Sequence, residues 1–349
     1  MNKILEEIVD NTCKLIKCET YKDNYDEFYK AFNIIKNELN DYNIKEIKVG
    51  NYPNLVISNT NSRKLDIIFC CHIDVVPMNE YKPIIEKNIL KGRGSFDMKS
   101  ELSVIISLLK NNKTNKKIAL IITSDEEIGG YCCKEIIKEY DADLAVIPDA
   151  GKDFKLVTDE KGLLQVEIDV YGESSHASSP FEGDNAIVKA MNIYNELIKI
   201  YPMPKNKDDF KTSICLSKLN GGDAINKVCG YAEMVLDIRF SNETNKEKII
   251  KNIEKVIKDS KLTILDYGPM FHVDINNKHI KQFIKDSKEV LKKEIEIDKC
   301  LATSDAIYFS EKNIPVIMVN PKGDNWHNPN EYVEIDSLYT LYLLFKNLL

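Results

Sequence analysis

The chain has 349 residues, 43% hydrophobic and 30% charged, too apolar for a disordered polymer and too long for one ordinary core, so two domains are expected. Its 48 Lys and Arg against 55 Asp and Glu give a net charge of −7, which argues against a general nucleic-acid binder, since that needs a basic face. No apolar run approaches the ~20 residues of a membrane span, and MNKILEEIVDN places acids where a signal peptide would have an unbroken apolar stretch. A cytoplasmic protein with no membrane or nucleic-acid partner is expected.

At the start, Ile4, Leu5, Ile8, Val9, Thr12, Leu15 and Ile16 recur at helical spacing, and 28–39 continues in the same way. Segments 65–73, 118–123, 143–148 and 314–320 are continuous β-branched apolar runs, the pattern of strands buried on both faces. Helical patterns at 99–110 and 133–140 lie between them. Strands alternating with helices predict a mixed, largely parallel sheet with helices on both faces. From about Leu163 the rhythm changes. An alternating strand at 165–171 leads to a helix with Ile187, Met191, Tyr194, Leu197 and Ile198 on one face. Strands at 212–219 and 232–240, a helix carrying Ile249, Ile250, Ile253, Val256 and Ile257, and a strand at 262–266 follow. That β-α-β-β-α-β order predicts a ferredoxin-like α+β domain at 163–271, inserted into an α/β domain made of 1–162 and 272–349.

The nine cysteines include no C-x-x-C pair, so neither a disulfide framework nor a zinc ribbon is expected, and the pairs Cys70–Cys71 and Cys132–Cys133 read as small buried hydrophobes. Only Arg63, Arg93 and Arg239 are arginine. In so lysine-rich a chain, each points to a position that uses the planar guanidinium fork.

Polar residues collect where the predicted strands end. The first buried strand closes on His72-Ile73-Asp74, whose outer members share one side of an extended chain. Buried parallel strands open at their carboxyl ends into the ligand crevice of α/β folds. A glycine-rich loop, Gly92-Arg93-Gly94-Ser95-Phe96-Asp97, runs into the next helix without the spacing of a phosphate loop. The strand at 118–123 runs into Asp125-Glu126-Glu127, acids that repel one another unless a cation is present. The following strand exits at Asp149, and His327 stands in a turn after the last strand. Singly these have bland readings: a satisfied core histidine, a helix cap, a solvated acidic turn. Together, His72, Asp97, Glu127, Asp149 and His327 offer five N/O ligands without a thiolate, which suit a pair of borderline divalent ions, with Zn²⁺ the best match.

In order along the chain, H-I-D-V-V-P, G-R-G-S-F-D-M-K, S-D-E-E-I-G-G, P-D-A-G, S-S-H-A-S-S-P, D-I-R-F and W-H-N-P-N-E resemble the zinc peptidase and deacylase family of acetylornithine deacetylase, succinyl-diaminopimelate desuccinylase, carboxypeptidase G and aminoacylase. The resemblance implies a zinc-exopeptidase-like catalytic domain with an inserted lid that serves also as the surface of a homodimer. It implies two Zn²⁺ per chain, replaceable by Co²⁺ or Mn²⁺. His72 and Asp149 would hold one ion and Glu127 and His327 the other, with Asp97 bridging. Asp74 would orient His72 and Glu126 would be the general base. His176 would stabilise the oxyanion, from its own chain or across a dimer. Asn226, Arg239, Thr303 and Ser304 would contact substrate.

The activity implied is hydrolysis of an amide bond in small amino-acid derivatives, as an N-acyl-amino-acid deacylase. The alternatives are a metallo-exopeptidase acting on dipeptides or short peptides, and an inactive homologue that binds such molecules. Asp149 stands where deacylases of the family usually have Glu, and resembles the peptidase branches there. The absence of long lid insertions resembles the deacylases instead.

Overall fold

The computed structural model describes residues 2–79, 81–206 and 208–349. It divides into two compact units. One comprises the chain to Asp159, His272–Cys300 and Ser304–Leu349; the other comprises Glu160–Phe271 with Leu301–Thr303. The second unit thus begins a few residues before the expected 163 and takes in a short later segment.

The first unit is built on a six-stranded sheet in the spatial order Asn43–Val49, Tyr52–Ser58, Ile118–Thr123, Lys64–His72, Asp141–Val146, Val316–Ile317. The last four strands are mutually parallel, while the hairpin Asn43–Val49/Tyr52–Ser58 adds antiparallel strands at one edge. Ile118–Thr123 is buried at every position, as its unbroken apolar run requires of a strand covered on both faces. The expected strand at 314–320 is only partly realised. Val316–Ile317 alone pairs, because Pro315 offers no N–H and Met318 O turns instead to Val157 N.

Helices Lys3–Ile16, Lys99–Asn111 and Ile335–Lys346 pack against one another. Lys99–Asn111 is buried continuously from Lys99 to Leu109, so even its Lys99 and Glu101 lie inside. Lys99 Nζ donates to Leu15 O at 3.1 Å and Cys18 O at 2.8 Å, satisfying carbonyls around the end of the first helix. Burial brings the Lys99 ammonium down to about 8.

The second unit is a four-stranded antiparallel sheet in the order Ser213–Gly221, Tyr231–Phe240, Gly162–Tyr171, Lys261–Gly268. In chain order these are the second, third, first and fourth strands, the ferredoxin-like arrangement. Tyr231–Phe240 alternates buried with half-buried positions, so one face supplies the core with Ala232, Met234, Leu236, Ile238 and Phe240. Helices Ala186–Ile200 and Lys246–Ile257 complete that core. The buried stripe of Ala186–Ile200 is Ala186, Ala190, Ile193 and Leu197, so of the expected face Leu197 is buried while Ile187 and Tyr194 pack at the margin of the same core. Met191 is exposed and Ile187, Tyr194 and Ile198 are half-buried.

Candidate metal centre

The parallel register brings the predicted residues level. His72 pairs with Thr123, one strand over, so the acidic turn begins beside it. Phe69 pairs with Val146, which places His72 and Asp149 three residues beyond the same rung. His72 Nε2 lies 3.0 Å from Asp97 Oδ1 and 3.6 Å from Asp149 Oδ1. Glu126 joins His72 and Asp149 in one group whose ligand atoms all lie within 4.8 Å of one another. On the other side, His327 Nε2 is 2.8 Å from Glu127 Oε2 and 3.3 Å from Asp97 Oδ2. The two oxygens of Asp97 therefore face different imidazoles.

These separations bear on what the site can hold. Two N/O ligands at about 2.1 Å from a tetrahedral ion stand roughly 3.4 Å apart, close to the values seen. Glu127 Oε1 is buried without a hydrogen-bond partner, an orphan that a cation would satisfy. The residues present fit a pair of divalent ions.

Asp74 acts through two routes. Its main-chain carbonyl lies 3.0 Å from His72 Nδ1, nearer than its carboxylate Oδ1 at 3.5 Å. The carboxylate accepts instead from Glu126 N at 3.2 Å and Glu127 N at 2.9 Å, holding the acidic turn against the strand that carries His72. Asp125 is a structural residue: both its oxygens accept from Cys132 N, at 3.1 and 2.9 Å, capping helix Tyr131–Ile137. The chain enters that helix through Gly130, at φ +65°, where a Cβ would lie 2.6 Å from Asp305 Oδ1. Only glycine suits both conditions.

The carboxylates and imidazoles perturb one another strongly. Burial pushes the Glu126 carboxyl well above the ordinary range, helped by the charge of Asp149. Burial alone would lower His72, but bonds to Asp149, Asp74 and Asp97 raise it well above the usual imidazole value. His327, bonded to Asp97 and Glu127, is raised to about 10. Burial works to raise Asp97, yet His327 and His72 hold it below the usual carboxylate range. The neighbouring carboxylates favour the protonated form of both histidines, and coordination requires each to be neutral. Metal uptake at pH 7–8 is therefore expected to release protons and to tighten as pH rises. Titration calorimetry in buffers of different ionisation enthalpy checks this; equal heats in all buffers would contradict it.

In the second unit, His176 and Asn226 line one shallow cleft of about 380 Å³ with Ser174, Ser175, Ala224 and Lys227. Ser178 N–H donates to His176 Nδ1 at 3.2 Å. An accepting Nδ1 leaves the proton of a neutral ring on Nε2. Arg239 donates through Nε to Asp237 Oδ1 at 2.8 Å and through Nη1 to Thr303 Oγ1 at 3.3 Å. Thr303 Oγ1 in turn donates to Lys161 O at 2.9 Å. Ser304, which belongs to the first unit, is buried, and its Oγ accepts from Ala306 N at 3.3 Å.

The residue reading did not single out Glu331, whose buried carboxylate gathers the glycine-rich loop, nor Asp305. The latter is buried beneath the acidic turn, accepts from Thr123 Oγ1 at 3.1 Å, and groups with Cys70 and Cys133. The one signal for Glu331 was Arg93, a rare arginine within that loop.

The profile of Peptidase family M20/M25/M40 matches residues 68–349. The chain is 27% identical to an uncharacterized metallohydrolase of Methanocaldococcus jannaschii, over 95% of this chain and 92% of that protein. It is 28% identical to a LysW-lysine/LysW-ornithine hydrolase of Saccharolobus solfataricus, over 78% of each. Its fold is similar to that of a tripeptidase from Staphylococcus aureus, with TM-score 0.84, 20% identity and coverage of 98% and 96%.

Proposed function

The chain belongs to Peptidase family M20/M25/M40, a metallohydrolase acting on C–N bonds, and on that premise we propose that it hydrolyses the amide bond of an acylated amino acid at a two-zinc centre. The observation that carries this reading is Asp97, whose two oxygens face His72 on one side and His327 on the other. His72 and Asp149 would hold one Zn²⁺, Glu127 and His327 the second, and Asp97 both, with Co²⁺ or Mn²⁺ able to replace them. Bound there, the ions supply Lewis-acid polarisation of the scissile carbonyl and make a water easier to deprotonate.

The chain's own groups move the proton. Glu126, in this reading not a ligand, takes it from the attacking water and delivers it to the departing nitrogen. Asp74 keeps Glu126 and Glu127 in place through their N–H groups. From the resemblance, His176 donates to the developing oxyanion, and a proton on Nε2 suits that role. Asn226, Thr303, Ser304 and Arg239 contact the substrate, Arg239 as a carboxylate clamp already oriented by Asp237. A homodimer formed through the second unit belongs to the same proposal.

The relative named a LysW-lysine/LysW-ornithine hydrolase favours substrates in which an amino acid is released from a larger acyl partner. Asp149 favours a second reading, an exopeptidase of short peptides. The test is a metal-stripped sample assayed in parallel on N-acetyl- and N-succinyl-amino acids, dipeptides and tripeptides, with Zn²⁺ or Co²⁺ restored. Activity is expected to vanish with chelator and return with either ion, strongest on the acylated amino acids. Faster cleavage of the peptides would select the exopeptidase, and chelator-insensitive turnover would sink both readings.

A further inference from the structure

Glu331 is buried, with 1% of its surface exposed, and its carboxylate accepts four hydrogen bonds from a single short loop. Oε1 accepts from Phe96 N at 2.9 Å and Asp97 N at 3.1 Å. Oε2 accepts from Gly94 N at 3.1 Å and from Arg93 Nη1 at 2.6 Å. The main chain adds a fifth tie, from Gly92 N to Glu331 O at 3.2 Å. The glycine-rich loop is thus wrapped around one side chain, and the last residue it grips is Asp97.

His327 lies four residues before Glu331, on the segment that this carboxylate fastens to the loop. Other contacts join the same two segments. Lys91 pairs with Tyr332, and Phe96 packs so tightly on Gly323 that a Cβ there would stand 2.3 Å from the ring. The His327 side chain is itself half-exposed, on a backbone at φ +62°. Its position relative to Asp97 is therefore set through the chain behind it.

We infer that Glu331, braced by Arg93, is a positioning residue that sets the separation of Asp97 and His327, and thereby the affinity of the metal position these two share with Glu127. This rests on the two-metal reading above. The chemistry makes Glu331→Gln informative. All four donors point at the carboxylate, so an amide of the same shape must turn its NH₂ toward two of them, donor against donor. The loop must then shift while the surrounding apolar packing is unchanged. Arg93→Lys keeps the three loop N–H bonds and removes only the planar fork.

The experiment measures stepwise Zn²⁺ affinities of the full chain by chelator competition, the visible spectrum of the Co²⁺-loaded protein, and the melting temperature of the metal-free protein. Phe283→Leu, in the core of helix Lys278–Leu291, is the control for simple destabilisation. Loss of an outer partner of a ligand typically weakens binding roughly 10–100-fold. Glu331→Gln is expected to weaken one Zn²⁺ equivalent by that factor, to leave the other within about threefold, and to change the Co²⁺ spectrum. Arg93→Lys should act in the same direction but less, and carries the test if Glu331→Gln does not fold. Phe283→Leu should lower only the melting temperature. Unchanged affinities in Glu331→Gln and Arg93→Lys, or a uniform loss matched by Phe283→Leu, would overturn the inference. Wild-type protein that takes up no divalent ion would instead overturn the two-metal reading on which it stands.

Discussion

Glu126→Gln is expected to keep both metal equivalents and to lose turnover by about 10²–10⁴-fold, the usual worth of a positioned general base. The amide matches the carboxylate in shape and leaves the Asp74 bonds to the main chain of 126 and 127 intact. It cannot accept the proton of the attacking water. Burial and the charge of Asp149 raise this carboxyl, a direction that suits a group meant to take up a proton. The decisive control is metal content, because Glu126 stands in one group with His72 and Asp149. If the variant lost one equivalent of zinc along with activity, Glu126 would be a ligand, and the base would have to be sought elsewhere. Wild-type turnover would dismiss it from the chemistry.

Asp97→Asn should be more damaging still, because it strikes metal loading as well as rate. The carboxylate offers one oxygen toward His72 and the other toward His327. An amide retains a single oxygen, and its nitrogen does not ligate zinc. One of the two positions loses a charged ligand, and the negative charge shared by both disappears. Zinc content after dialysis should fall from two equivalents to one or fewer, with an affinity loss exceeding the roughly 10–100-fold of an outer-shell change. Elemental analysis and a rate measurement on the same sample check this. Two tightly held equivalents in Asp97→Asn would show that Asp97 is not shared between the ions.

All three arginines do meet carboxylates: Arg63 with Glu139 at 2.9 Å, Arg93 with Glu331 at 2.6 Å, and Arg239 with Asp237 at 2.8 Å. Arg63 also lies over the Tyr140 ring, 4.6 Å from its centroid. Arg239 uses the planar fork, through Nε and Nη2 to the two oxygens of Asp237, whereas Arg63 and Arg93 each reach their carboxylate through Nη1; rarity in composition did not show which carboxylate each would meet. Glu331 is 238 residues from Arg93 in the chain, and no periodicity links such positions.

The strand at 118–123 was legible to the residue, because a run of β-branched and apolar side chains with no polar interruption suits only a strand covered on both faces. The strand exits at His72, Glu126–Glu127 and Asp149 were legible for a related reason, since polar groups ending such runs must stand at the rim of the sheet. Among the described residues, no helix is long and apolar enough to cross a membrane, in keeping with the hydropathy of the chain. The short strands Ile89–Lys91 and Tyr332–Glu334 were not legible, being three residues each and paired across the chain. Nor was the full buried stripe of helix Ala186–Ile200, which includes Ala186 and Ala190 beside Ile193 and Leu197.

Residue types and their local periodicity thus dictated the buried central strands, the switch from them to an alternating antiparallel sheet, and the chemical kind of the donors, but not the edge hairpin Asn43–Val49/Tyr52–Ser58 or the helix Ile335–Lys346. Which donor meets which was settled only by folding. The division of Asp97 between two histidines, the use of Asp74 to hold an acidic turn, and the grip of Glu331 on a glycine-rich loop depend on strand register and on hydrogen bonds between distant segments. Those are pairwise geometric facts at ångström scale, and a linear pattern of hydrophobic and polar residues constrains them only through the packing it brings about.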